Sequence, residues 1–417
     1  MKLFPIKNLP QFINNLYSED YFSKPSYNFP QSELESWKYT NLKKIFDFNN
    51  INSFSPKHHE NISKEYVNLY SKYLVDKAQN IVLLDGMLIY ENLLAGVKLE
   101  NSSMSITQIK RHVYNPLVRI NGMFNEIFLK LVVDANMDHL DNPIIIHYLH
   151  TDKVDSTLLS YFTKIDIGRN SRIFLKEKFV SLSSKKSAFN IKMETFIKDN
   201  ANFTYDVLDS PCKSIVMNHI SINLLKNSSF NSFVMQSSLN FTRYEYHINL
   251  LEKNSKSNIS GVSFLHGSKQ LDLYVFVSHY ASHTESRVNF RSTVGYKSKY
   301  NLGIKAYVSP KIKNIYSSLH SKSIHLDNLS IINIKPEFDI HSEDVVCNHG
   351  VTIGSLDKNA FFYLASRGIS NKEAQVLLVE AFFFSIINNL KREDAIVEKY
   401  KVIFETILNK EILSLIL

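Results

Sequence analysis

The longest regular pattern in the chain is a period-two alternation of apolar and polar residues between about positions 160 and 340. YEYHINL sets Tyr244, Tyr246, Ile248 and Leu250 on one face, LDLYVFV does the same with Leu271, Leu273, Val275 and Val277, and ESRVNFRSTV adds Val288 and Phe290. Successive side chains of an extended segment point to opposite faces, so this alternation predicts half-buried strands. They recur at roughly ten-to-fourteen-residue spacing. Asn200, Asn202, Asn227, Ser228 and Ser229 fall between them and supply turns. Many short, evenly spaced strands define a sandwich, a barrel or a β-solenoid. Spacing alone leaves the three open, because the repeats share no sharp consensus.

The flanks follow other rules. Up to about residue 80, Phe12, Leu16, Leu34 and Leu42 sit among polar residues with Pro25, Pro30 and Pro56 as breaks, which predicts short helices. ESWKYTNLKKI holds the only tryptophan, and Trp37 with Tyr39 is expected to anchor this unit to the next. IVLLDGMLIY reads as a hairpin around Asp85-Gly86. FNEIFLKLVVDA is a helix candidate, and IIIHYLH after Pro143 is a strand. Beyond Gly354 the period becomes helical: Asp357 caps KNAFFYLASR, and Gly368 stands where a helix-ending glycine belongs. Ser370 and Glu373 form a capping box for a second helix with Ala374, Leu377, Leu378, Ala381 and Phe382 on one face. A third helix carries Ile396, Tyr400, Ile403, Phe404, Ile407 and Leu408.

Hydrophobic content of 44% over 417 residues supports two or three well-buried units. The net charge of +8 is scattered, with no arginine-rich helix or basic stripe, so nucleic acid is not an expected partner. Two cysteines without a CxxC pair fit a reducing compartment. MKLFPIKNLPQFINNLYSED lacks the apolar core of a secretion signal, and Val376 to Leu390 contains Glu380 and is too short to span a bilayer. The expectation is a cytoplasmic protein with no membrane partner. There is no GxxxxGK[ST] or GxGxxG, and eleven glycines leave little room for phosphate-cradling loops, so no nucleotide site is expected.

The chemistry concentrates in HSEDVVCNHGVTIGSLDKNAFFYLASRGIS, where Cys347 and His349 stand two residues apart before Gly350 and Gly354 turn the chain toward a helix. In an extended segment both project from one face, and thiolate plus imidazole suits iron or zinc. Two donors leave a metal site incomplete, so other ligands must come from elsewhere in the fold, a second chain or the cargo. His341, Glu343 and Asp344 are expected to be exposed, with His341 a weak further ligand. Cys212 is read as structural. His58-His59 and His279/His283 are read as surface or turn residues.

KPEFDIHSEDVVCNHGVTIGSLDKNAFFYLASRGISNKEAQVLLVEAFF resembles the SufB/SufD family of iron–sulfur cluster assembly proteins. Cys347-Asn348-His349-Gly350 is closer to the SufD branch, with weaker support from ESWKYTNL and FNEIFLKLVVDA. Asn348, Val351 and Ser342 depart from the usual residues there, and none removes a candidate ligand. The resemblance implies a mainly β protein with a right-handed parallel β-helix core and helical flanks. The expected division is an N-terminal helical domain over 1–80, a mixed α/β region over 81–145, the β-helix over 146–350 and a C-terminal helical domain over 351–417. It further implies a non-catalytic scaffold that pairs with a SufB-like subunit and docks a SufC-like ATPase, which supplies the ATP chemistry. His349, with Cys347 beside it, would handle iron or a nascent cluster shared with the partner. Phe361, Arg367, Phe382 and Phe383 are the candidate ATPase-docking residues. Two rivals remain: a β-helix carbohydrate-active enzyme, which needs paired carboxylates that this region is poor in, and a SufB-like homodimeric scaffold.

Overall fold

The computed structural model describes residues 37–40, 68–103, 118, 121, 127–151, 158–182, 188–208, 215–237, 240–390, 392 and 394–413. The strands are β1 (Gln79–Leu84), β2 (Met87–Asn92), β3 (Val97–Ser103), β4 (Ile127–Val133), β5 (Asp138–His150), β6 (Leu158–Ile167) and β7 (Arg172–Ser181). Next come β8 (Ala188–Ile197), β9 (Asn202–Val207), β10 (Ile215–Leu224), β11 (Ser229–Gln236), β12 (Phe241–Leu250) and β13 (Lys256–Leu265). The last are β14 (Gln270–His279), β15 (Glu285–Val294), β16 (Lys299–Val308), β17 (Ile315–His325), β18 (Ile331–Ile340) and β19 (Val345–Ser355). Helices α1 (Lys358–Ser366), α2 (Asn371–Ile387) and α3 (Asp394–Leu413) follow.

From β4 onward, consecutive strands fall alternately in two sheets, and each pairs in parallel with the strand two places along. This is a parallel β-solenoid of about seven turns, which resolves the choice that strand spacing left open. Its interior is one apolar column that includes Tyr244, Tyr246, Ile248, Leu250, Leu271, Leu273, Val275, Val277, Val288 and Phe290, the residues the alternation placed inward. The hairpin around Asp85-Gly86 is β1–β2, antiparallel, with both turn residues at positive φ.

One corner of the coil repeats a single device. Asn136, Asn170, Asn200, Asn227 and Asn254 all adopt left-handed φ between 57° and 62°. From Asn170 onward each side-chain amide donates to its predecessor's carbonyl oxygen at 2.9–3.0 Å. His283 and Asn314 continue the row, also at positive φ and 2.9 Å apart. Asparagine tolerates this backbone region and carries both donor and acceptor, so a stacked column satisfies itself.

Several expectations change. FNEIFLKLVVDA is not helical where described: Leu129, Leu131 and Val133 of β4 register with Thr163, Ile165 and Ile167 of β6, and sheet pairing overrides an ambiguous apolar run. Strands occupy much of 81–145, and the last strand ends at Ser355 rather than near 350. Gly350 and Gly354 lie within β19, so neither makes the expected turn. A Cβ at Gly350 would come within 2.8 Å of the His320 imidazole, so there the glycine makes room for a neighbour. Most of the expected N-terminal helical domain, with His58-His59, lies outside the described residues, as does Cys212. Trp37 is buried with the Arg243 guanidinium 3.7 Å over its ring, as an anchor should be, whereas Tyr39 is exposed.

Asp357 caps α1, and the Ser370–Glu373 box caps α2, as the sequence indicates. The buried face of α2 is Ala374, Val379, Phe383, Ile386 and Ile387, whereas Leu377 is 44% exposed. This helix is apolar nearly all round, so its own pattern does not choose a face. The solenoid chooses it: α2 and α3 pack on Phe233 and Met235 of β11 and on Val262 and Phe264 of β13. Tyr400 stacks on Phe233 at 5.4 Å. Buried Asp206 at the end of β9 accepts hydrogen bonds from the Arg392 guanidinium and the Tyr400 hydroxyl.

Candidate functional site at the open end of the solenoid

β18 and β19 are the outermost strands of their sheets among the described residues. Cys347 continues the rung of Ser286 and Ser317, and His349 the rung of Val288 and Leu319. Those partners are buried inside the coil, so the inward rows of the solenoid end on a thiol and an imidazole. Among the described residues no further coil covers them: His349 is exposed and Cys347 half-buried. Across the end, Phe338 of β18 lies 5.6 Å from the His349 ring. Around the pair the strands leave apolar surface open, with Ile331, Ile340, Val346 and Ile353 between 37% and 61% exposed. A solenoid end without a polar cap leaves apolar surface for another chain to cover.

Burial pushes the Cys347 thiol above its ordinary value, and a backbone N–H from Ser317 opposes the shift only in part. A bound metal displaces such a proton, so ligation by Cys347 carries proton release with it. Behind the thiol runs a buried polar row. The Ser317 and Ser286 hydroxyls are 2.9 Å apart, and Ser286 Oγ is 2.9 Å from His279 Nε2. His279 Nδ1 reaches Thr284 Oγ1 at 2.8 Å. His279 is therefore fully buried, which corrects its reading as a surface or turn residue; burial alone lowers its pKa to about 4. His283 is exposed at the turn, as expected. The signal for this row was Ser286, Ser317 and Cys347 at equal depth in successive strands, which becomes visible only once register is known.

His341 is exposed and 2.8 Å from Asp339, and Glu343 and Asp344 are exposed too. The docking candidates divide. On α1, Phe361 is half-buried and Arg367 exposed, its guanidinium 5.2 Å from the Tyr363 ring. Phe362 and Tyr363 beside them are 75% and 56% exposed. Phe382 is half-buried under the Arg291 guanidinium. Phe383 is fully buried in the helix–solenoid contact and offers no surface, because α2 is rotated from the face expected. A groove along the first sheet holds Lys256, Glu285 and Arg287. Its single carboxylate is already paired with both cations, so it lacks the two carboxyl groups of glycoside hydrolysis.

The fold and the candidate site together are a parallel β-solenoid that ends in a thiol–imidazole pair, with a helical module packed on one sheet. The family model described as "SUF system FeS cluster assembly, SufBD core domain" matches residues 150–382, more than half of the chain. The chain therefore belongs to the SufBD family of SUF-system iron–sulfur cluster assembly proteins. It is similar to the iron–sulfur cluster assembly protein SufD of Escherichia coli (strain K12), 22% identical over 237 residues, 56% of this chain and 55% of that protein. An iron–sulfur cluster assembly SufBD family protein of Synechocystis sp. is 22% identical over 271 residues, 62% of this chain and 59% of its own length. The SufD protein of Plasmodium berghei is 23% identical over 252 residues, 57% of this chain and 18% of its own. The chain thus spans little more than half the length of the first two relatives. Among the described residues, no helix is long and apolar enough to cross a membrane.

Proposed function

We propose that the chain is a non-catalytic scaffold subunit that joins a SufB-like partner through its open solenoid end. There it lends His349, with Cys347 beside it, to iron or a nascent iron–sulfur cluster. The observation that carries this reading is the placement of both donors on the last, uncovered rungs of the coil. One imidazole and one thiolate leave a metal short of ligands, and a chain seated on this end would bring the rest. The exposed aromatics of α1, with Phe361, Arg367 and the edge of Phe382, suit docking of a SufC-like ATPase. Closure of paired ATPases would then pull on the helical module and, through α2 and α3, on the solenoid.

The test is co-expression with SufB-like and SufC-like subunits and anaerobic purification of the complex. His349→Ala is expected to leave the complex assembled and to lower its iron and sulfide content. An unchanged content rejects the site. Native mass measurement of the chain purified alone distinguishes a self-paired scaffold from one that waits for a different subunit.

A further inference from the structure

A second group of metal-type donors stands on the outer face of the other sheet, away from the open end. In β12 the core takes Tyr244, Tyr246 and Ile248, so Arg243, Glu245 and His247 alternate outward. His219 of β10 registers directly with Glu245. The donor atoms of His219, Glu245 and His247 all lie within 4.8 Å of one another. Glu245 Oε2 is 3.4 Å from His219 Nδ1 and 4.0 Å from His247 Nε2, and the two imidazole rings tilt together with centroids 4.7 Å apart.

Tetrahedral ligands bound at about 2.0–2.1 Å stand roughly 3.3–3.4 Å from each other. Glu245 and His219 already have that separation, Glu245 and His247 stand at 4.0 Å, and the two imidazole donors lie within 4.8 Å, so closing on an ion asks only for an inward shift of His247. His219 would carry its proton on Nε2 to free Nδ1 for ligation. The carboxylate is held from behind: Arg243 Nε donates to Glu245 Oε1 at 2.7 Å, while Arg243 itself lies beneath Trp37 and 3.9 Å from Asp272. That leaves Oε2 turned toward the two histidines, the arrangement by which a second group orients a ligating carboxylate. Tyr274 and Phe276 stand about 6 Å from the His247 ring and wall the site. Side-chain exposure rises from 6% at Glu245 to 14% at His219 and 32% at His247, so the group opens to solvent on the His247 side. Lys192 lies in the next rung beyond His219. With Arg243 it offsets the carboxylate charge, so binding rests on imidazole donors rather than on a general attraction for cations.

We propose that His219, Glu245 and His247 form a binding site for one divalent transition-metal cation of the zinc and ferrous class, with at least one position open to solvent. Two imidazoles and a carboxylate are the donor set these ions accept with open coordination positions. The site lies three strands from β18, or about 14 Å at the usual strand spacing, and it shares no ligand with Cys347 and His349. Its failure would leave the proposed function standing.

The test uses the full untagged chain, stripped with a chelator and titrated anaerobically with Co²⁺ as a spectroscopic probe, then with Zn²⁺ in competition. The expected result is one equivalent bound at micromolar affinity or tighter, with visible bands of low-symmetry Co²⁺, in the wild type and in a Cys347→Ala/His349→Ala variant. His247→Ala and His247→Gln, at the most exposed side chain of the three, are expected to keep the melting temperature and to weaken binding about tenfold or more. Absence of binding in the wild type overturns the proposal. So does binding that His247→Gln leaves unchanged, or that the Cys347→Ala/His349→Ala variant abolishes.

Discussion

Removing the charge of Asp206 should detach the C-terminal helical module without unfolding the solenoid. Its carboxylate is fully buried and accepts from Arg392 Nη2 at 2.8 Å and from the Tyr400 hydroxyl, both in the helical module, and from the Phe233 backbone N–H at 3.0 Å. The Arg392 side chain is only 6% exposed. Asp206→Asn keeps an acceptor for Phe233 but leaves a buried guanidinium without its carboxylate, a change that costs about 3–5 kcal/mol. At about 1.4 kcal/mol per tenfold, local opening of α2 and α3 should become roughly a hundred- to several-thousand-fold more frequent. Native-state hydrogen exchange reads this directly. Amides of α2 and α3 are expected to lose protection by that factor, while those of β12 to β16 keep theirs. Asp206→Asn combined with Arg392→Met removes both charges, keeps an acceptor for Phe233 and Tyr400, and should restore most of the protection. Unchanged exchange in α2 and α3, or an equal loss across the solenoid, would refute the reasoning.

Three further outcomes follow from the same structure. Because burial holds the His279 pKa near 4, against 6.5 in an unfolded chain, its contribution to stability is complete above about pH 6.5 and falls as pH drops toward 4. Unfolding free energies from urea titrations at pH 7 and 4.5 should therefore differ by about 2–3 kcal/mol less in His279→Gln than in the wild type. Asn227→Ala keeps a Cβ at positive φ without the amide that suits asparagine to this region, and it breaks the column on both sides, so it should cost about 2 kcal/mol in chemical denaturation, and Asn227→Gly, which relieves the backbone, distinctly less. Phe362→Ala with Arg367→Ala should hold stability within about 0.5 kcal/mol, both being exposed, yet reduce co-purification of the SufC-like subunit.

The inward half of the fold was legible because alternation reports it directly: YEYHINL and LDLYVFV each give one apolar face, and the solenoid buries those faces. The caps of α1 and α2 were equally plain, since Asp357, Ser370 and Glu373 act within a few residues of themselves. What stayed hidden depends on register between distant strands. Glu245 and His247 gain His219 only when β10 lies beside β12, 26 residues away for the closest pair. The asparagine column gives no short motif because its steps vary from 27 to 34 residues. Phe383 was misplaced because a helix whose apolar residues spread nearly all round does not state which face it buries, and His279 because a lone histidine at a strand end carries no mark of depth. Cys347 and His349 were singled out as candidates by their spacing together with the family resemblance, yet their position on the last rungs came only from the coil.

The measurement that bears most directly on the account is anaerobic iron and sulfide analysis of the assembled three-subunit complex carrying His349→Ala. A complex that assembles with the wild-type subunit ratio but holds markedly less iron and sulfide is the predicted result. A variant complex with the full wild-type content of both would contradict the claim that this open-end histidine serves the cluster.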